Sequence, residues 1–349
     1  MSSRAPAIRP VSRLSDCAQF WLVLVLTLMI GCVVSQATAR WLGFRFGSAI
    51  PCSYGESGSS NQVFVACSSL GYFGLDWNEV ATNHDWFIRR FDMPGASPCE
   101  SEGSQAEVTN ATVSIMVTSI FDQDESLLSD FRAEFVPMHR TVTDLRDTHS
   151  SWAFSKRTMS RYPEYWTKEV FPTSNASLGV MVGFRARLQA LLGHGGGGEG
   201  NEKAVLNGET DAIPTSRVSE WAAGRVLRNA GIMEAAAENA HFFHGPKQAA
   251  LQRMINTALA HGSVYVVVLP VTPEYHQLVI PDPAVDADFE GFLASLQKEF
   301  PALHLVRVDQ TPGLADARNF WDLAHMNVYG RAIATRSLEQ ALPRPSSGQ

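Results

Sequence analysis

Three apolar runs constrain the fold most: "VFVA" at 63–66, "ATVSIMVTSI" at 111–120 and "SVYVVVLP" at 263–270. Each is short, rich in β-branched residues and bounded by turn-forming sequence, the signature of a strand rather than a helix. A strand with one wet face alternates apolar and polar residues, whereas these runs are nearly continuous. That pattern implies burial on both faces, as in a parallel sheet covered by helices. The segments between them supply the covering layers. "DWNEVAT" at 76–82 reads as a helix, "WFIRRFDM" at 86–93 as a strand, and "ESEGSQAEV" at 100–108 as a helix. Farther on, "GPKQAALQRMINTALAHG" is an amphipathic helix that ends at a glycine, followed by the strand at 263–270. The helix "DADFEGFLASLQKEF", the strand "LHLVRVD" and a closing helix from 328 to 342 complete the order. Strand and helix in alternation predict an α/β fold: a three-layer parallel sheet of flavodoxin-like type.

Between about 123 and 245 the grammar changes to polar, aromatic and mostly helical sequence, read as a helical insertion. It contains "GHGGGGEGNE" at 193–202, a loop whose glycine run lacks the Lys-Ser/Thr ending and flanking strand of a phosphate loop.

At the amino end, 18–39 carries no charged residue and lies between Asp16 and Arg40. At about 1.5 Å per residue such a helix spans a hydrocarbon core of roughly 30 Å. The expected organisation is a cytoplasmic tail at 1–19, a transmembrane signal anchor at 20–40 and an exported domain at 41–349. A cleaved signal ending at "ATA" (37–39) and a lipoprotein site near Cys32 are the competing readings, and all three export the domain. In an oxidising compartment Cys52 and Cys99, both beside turns, are candidates for a disulfide, while Cys67 is expected to pack as a small hydrophobe. A net charge of −7 without a long basic run argues against a nucleic-acid backbone as partner.

Two stretches carry the chemistry. In "VFVACSSLGYFG", Ser68 and Ser69 follow a buried strand and precede a helix, where a turn can present a hydroxyl at the sheet's edge. A serine hydroxyl is a weak nucleophile unless a base lies within hydrogen-bond reach and an acceptor orients that base. "NFWDLAHMNVYG" supplies both types, Asp322 and His325, at the other end of the chain. Helix capping is the structural alternative for the pair. The other histidines are scattered without ligand spacing, so no metal or other cofactor is expected. Asp122, Asp124 and Glu125 cluster after a strand, and a solvated helix start accounts for them. Glu274, Tyr275 and His276 follow a core strand and are expected in a loop near the rim.

Cys67-Ser68-Ser69 and Asp322-Leu323-Ala324-His325-Met326-Asn327-Val328-Tyr329-Gly330 resemble the first and last motif blocks of the SGNH (GDSL-like) hydrolase superfamily. The likeness is to its membrane-anchored, exported members that work beside membrane-bound O-acyltransferases, such as those of alginate acetylation and teichoic-acid D-alanylation. In those members the blocks often read Gly-Ser-Ser and Asp-x-x-His-x-Asn-x-x-Gly. The resemblance implies Ser69 as nucleophile, His325 as general base and Asp322 as its orienter. It also implies an oxyanion hole formed by the N–H groups of Ser69 and Gly95, the latter in "FDMPGASP". The implied activity is that of a serine esterase or O-acyltransferase acting on an acetylated cell-envelope or exopolysaccharide substrate. Its partners would be an acyl donor, a glycan acceptor and a membrane-bound O-acyltransferase. Two departures stand out. Cys67 replaces a glycine, and Ser119-Ile120-Phe121-Asp122 lacks the third-block Asn, a donor of a kind worth about 3 kcal/mol elsewhere. A non-catalytic envelope protein that binds glycans with the same fold is the alternative those departures favour.

Overall fold

The computed structural model describes residues 16–41, 52–56, 61–92, 97–103, 110–125, 138–147, 242–320 and 323–343. Its centre is a six-stranded sheet: β1 (Cys52–Tyr54), β2 (Gln62–Cys67), β3 (Phe87–Asp92), β4 (Val113–Thr118), β5 (Ser263–Val268) and β6 (Leu303–Arg307). The spatial order is β1-β3-β2-β4-β5-β6. All neighbours run parallel except β1, which pairs antiparallel with β3 through Cys52 opposite Arg90. The five parallel strands alone read 2-1-3-4-5 in chain order, the doubly wound arrangement whose direction of winding reverses between the first and third strands. Here that reversal lies between β2 and β4.

The strands' composition explains their position. Val63, Phe64, Val65, Ile115, Val264, Val266 and Val267 are all essentially inaccessible to solvent. At roughly 25 cal/mol per Å² of apolar surface, each such side chain contributes about 1.5–3 kcal/mol relative to exposure. The β1 strand is the exception. It lies inside a turn-rich segment whose sequence reads as linker, and only its pairing with β3 makes it a strand.

The helices fall into two packed groups. One joins α2 (Ser69–Gly74), α3 (Trp77–His84) and, from the chain's end, α10 (Val328–Ala341). The other joins α4 (Pro98–Ser101), α6 (Met138–Asp147) and α7 (Pro246–Leu259). Right-handed crossovers on the two sides of the reversal put these groups on opposite faces of the sheet. Short helix α5 (Ile120–Gln123) follows β4, while α8 (Pro273–Leu278) and α9 (Pro283–Glu299) connect β5 to β6. Arg253 of α7 clamps the second group. Its guanidinium donates to Glu102 (2.7 Å) and to Asp144 of α6 (2.9 and 3.0 Å), and Arg140 of α6 also donates to Glu102.

Most of the expected helical insertion lies outside the described residues, as does the glycine-run loop; 123–125, α6 and 242–245 are the parts described. The amino-terminal apolar run forms helix α1 (Asp16–Trp41), with its described apolar side chains from Phe20 to Val34 exposed except Leu24, which is half-buried. Those described side chains cover 18–31, 33 and 34. Among the described residues no helix is long and apolar enough to cross a membrane.

The candidate Cys52–Cys99 disulfide is not formed: neither residue is in a disulfide, nor is Cys67. Cys52 is half-buried on the outermost strand, whereas Cys99 is buried on α4, which packs over β2 two strands away. Cys67 is buried as expected, at the end of β2.

Candidate active site

Ser68 and Ser69 follow the carboxyl end of β2, beside the point where the winding reverses. Their roles separate by geometry. Ser68 is the N-cap of α2, its Oγ accepting from Leu70 N at 3.1 Å. Ser69, the first residue of that helix, directs its hydroxyl at the His325 ring, with 2.8 Å between Oγ and Nε2. The N–H of Ser69 belongs to the helix's first turn, where backbone donors have no intrahelical acceptor. Gly71 lets this turn sit against the strand, because a Cβ there would lie 2.5 Å from the Cys67 Cβ.

His325 comes from the opposite end of the chain, and several local contacts hold its loop. Phe320 and Met326 form an antiparallel bridge across it. Asn327 caps α10 by accepting from Tyr329 N (3.0 Å) and Gly330 N (3.1 Å), and its amide donates to Arg318 O at 2.7 Å. Thr272, N-cap of α8, donates through both its N–H and its hydroxyl to Leu323 O, each at 3.0 Å. Phe73 meets the His325 ring edge-on with centroids 5.4 Å apart. The capping role that competes with chemistry for the Asp-x-x-His stretch thus falls to Asn327.

Gly330 has a specific duty: a Cβ there would meet Asn319 O at 2.3 Å, and that carbonyl accepts from Asn327 N. Gly330→Ala must therefore shift α10 away from the loop carrying His325. The expected cost is about 1–3 kcal/mol of stability, which thermal unfolding of the variant checks.

Asp322 and Gly95 lie outside the described residues, so of the predicted set the structure brings together Ser69 and His325. Glu274, Tyr275 and His276 are in helix α8 rather than a loop. Tyr275 is buried, its hydroxyl pushed well above the ordinary range by that burial. His276 meets Asp286 at 3.1 Å near the surface.

The solvated helix start expected for Asp122, Asp124 and Glu125 is not what forms, because all three are buried, at 4%, 0% and 1% exposure. Helix α5 is a single turn, and the residues after it tuck under α7. The Ser119 hydroxyl donates to Asp122 Oδ2 at 3.0 Å, Lys247 N donates to Glu125 Oε1, and Lys247 Nζ donates to Asp124 O at 2.8 Å. Burial dominates the titration of two of these groups. It pushes the Asp122 carboxyl up to about 6, against the opposing pull of the Ser68 and Ser119 hydroxyls, Lys247 and His325. Burial likewise pushes Glu125 up to about 8, against Lys247. Asp122 also lines, with Ser68, Ser97, Ser101 and Thr118, a cavity of about 20 Å³.

Among the described residues no group of three His, Cys, Asp or Glu side chains gathers to hold a metal ion. Sequence reasoning misses two features of the site: Thr272 as a support for the His325 loop, and Asp122 as a buried carboxyl that lines a cavity with Ser68. The first is signalled by Thr-Pro at 272–273, a helix N-cap followed by proline at N1. The second has no signal, since burial of a carboxylate depends on the segments that pack over it. No family model matches the chain, and no curated protein matches it.

Proposed function

We propose that this chain is a serine-dependent esterase or O-acyltransferase of SGNH type, acting outside the cytoplasm on an acylated cell-envelope or exopolysaccharide substrate. The observation that carries the reading is the 2.8 Å contact between Ser69 Oγ and His325 Nε2, formed by segments from opposite ends of the chain. It lies at the carboxyl edge of the sheet beside the winding reversal, where open α/β sheets hold their ligands.

Ser69 Oγ attacks the acyl carbonyl carbon while its proton passes to His325 Nε2, and the carbonyl's π pair moves to oxygen as an oxyanion. The Ser69 N–H at the helix terminus, with Gly95 as second donor, receives that charge. Collapse of the tetrahedral species breaks the bond to the leaving alcohol, which takes the proton from His325. The acyl group then sits on Ser69 until a glycan hydroxyl or water, deprotonated by His325, removes it. Asp322 holds the imidazole during both half-reactions. In this reading the domain works beside a membrane-bound acyltransferase that supplies the acyl donor.

Incubation of the full chain in detergent or vesicles with an O-acetylated polysaccharide, followed by measurement of released acetate and of acetate on an added glycan, tests the function. Either product, dependent on Ser69, supports it. With neither product from any acyl ester, and a glycan-binding isotherm unchanged by His325→Ala, the chain would instead be a binding protein.

A further inference from the structure

Asp122 has no part in the steps above, yet it is buried and lines one cavity with Ser68, the residue next to Ser69. Its Oδ2 accepts from the Ser119 hydroxyl, and Ser119 Oγ in turn accepts from Asp122 N at 3.1 Å. Its Oδ1 is buried and has no hydrogen-bond partner among the described residues. Such an unsatisfied buried acceptor is costly. Groups whose hydroxyl or charge acts on the carboxyl come from several elements: Ser68 after β2, Ser119 before α5, Lys247 of α7, His325 of the loop before α10, and Tyr275 of α8.

We propose that Asp122 is a positioning residue of this active site, its carboxylate charge supporting the imidazolium that forms on His325 during acyl transfer, from the side of Ser68. The proposal rests on the acyl-transfer reading. No bond changes at Asp122: the proton leaving Ser69 goes to His325 and then to the departing alkoxide, while Asp122 contributes only its field. Such a fixed charge inside a poorly solvated site acts on the developing cation far more strongly than it would in water. Since burial raises the Asp122 carboxyl to about 6, the charge is present above that pH and is lost below it. The site therefore carries a second acid-side requirement besides an unprotonated His325.

The test is kcat/KM for p-nitrophenyl acetate from pH 4.5 to 9, measured on the full chain and on Asp122→Asn, with thermal unfolding of both at pH 8. Expected is a loss of about tenfold for Asp122→Asn at pH 8, shrinking to none near pH 5, with a flatter acid limb. Its unfolding temperature at pH 8 should equal or exceed the parent's, because a charge has been removed from a buried position. Equal rates at pH 8, or a loss of the same size at every pH, would overturn the proposal. Absence of turnover by the parent chain at every pH, with no labelling of Ser69 by a fluorophosphonate, is a different result. It removes the acyl-transfer reading itself, and this proposal with it.

Discussion

Ser69→Ala is expected to lower turnover of an acyl ester on the order of 10⁴- to 10⁶-fold, and His325→Ala by a similar factor. In the proposed reaction the hydroxyl and the imidazole act as a unit. Without the ring, Ser69 keeps its proton and is a poor nucleophile; without the hydroxyl, the ring has no group to activate. The double variant should accordingly be little worse than either single one, and that non-additivity separates a catalytic pair from two residues that matter independently. Ser68→Ala supplies the contrast. Its hydroxyl caps α2 by accepting from Leu70 N, so its loss should cost about 1 kcal/mol of stability and leave covalent chemistry at Ser69 in place. Reversal of these outcomes, with Ser68→Ala inactive and Ser69→Ala active, would move the nucleophile by one residue and contradict the geometry.

The fold should be more stable at pH 5 than at pH 8 by a few kcal/mol, since each tenfold change in proton affinity is worth about 1.4 kcal/mol. Asp122 titrates near 6 in the fold against an ordinary 3.8, and Glu125 near 8 against an ordinary 4.5. Both values are raised, so between the ordinary and the folded values the native state holds more protons than the unfolded chain. Stability contributed by these groups must then fall as pH rises, from about 4 to 6 for Asp122 and from about 4.5 to 8 for Glu125. Glu125→Gln should remove most of that slope, since its amide keeps the acceptor for Lys247 N without a charge to desolvate. Urea unfolding of the full chain at pH 5, 6.5 and 8, followed by tryptophan fluorescence, measures the slope directly. A chain more stable at pH 8 than at pH 5 would show that these carboxyls are ionised and well solvated.

Legibility from sequence follows the physical origin of each element. Runs such as Val264–Val268 are readable because a strand buried on both faces must be apolar throughout, whatever its neighbours. Helix α7 is readable from its amphipathic pattern, its Pro at the first turn and the glycine after it. The β1 strand is not, because Cys52–Tyr54 owes its conformation to β3 and not to its own composition. The carboxyls at 122, 124 and 125 mislead for the same reason: nothing local shows that Lys247, more than a hundred residues away, will close over them. The Cys52–Cys99 pairing fails because sequence position beside turns carries no information on strand order.

At the site, the local signals for Ser68 and Ser69 are equal; only the third dimension shows one hydroxyl turned to the helix and the other to the imidazole. Asn327 and Gly330 of the last motif have plain structural reasons. The first ties the loop to its helix, and the second lets the Asn319 carbonyl approach.

The most direct measurement is covalent labelling of the folded chain by a fluorophosphonate at neutral pH, with the modified residue located by peptide mass spectrometry. A hydroxyl activated by His325 should be modified at Ser69, and the label should vanish in Ser69→Ala, fall sharply in His325→Ala and persist in Ser68→Ala. A folded parent chain that takes up no label, or takes it up equally after Ser69→Ala, would contradict the account.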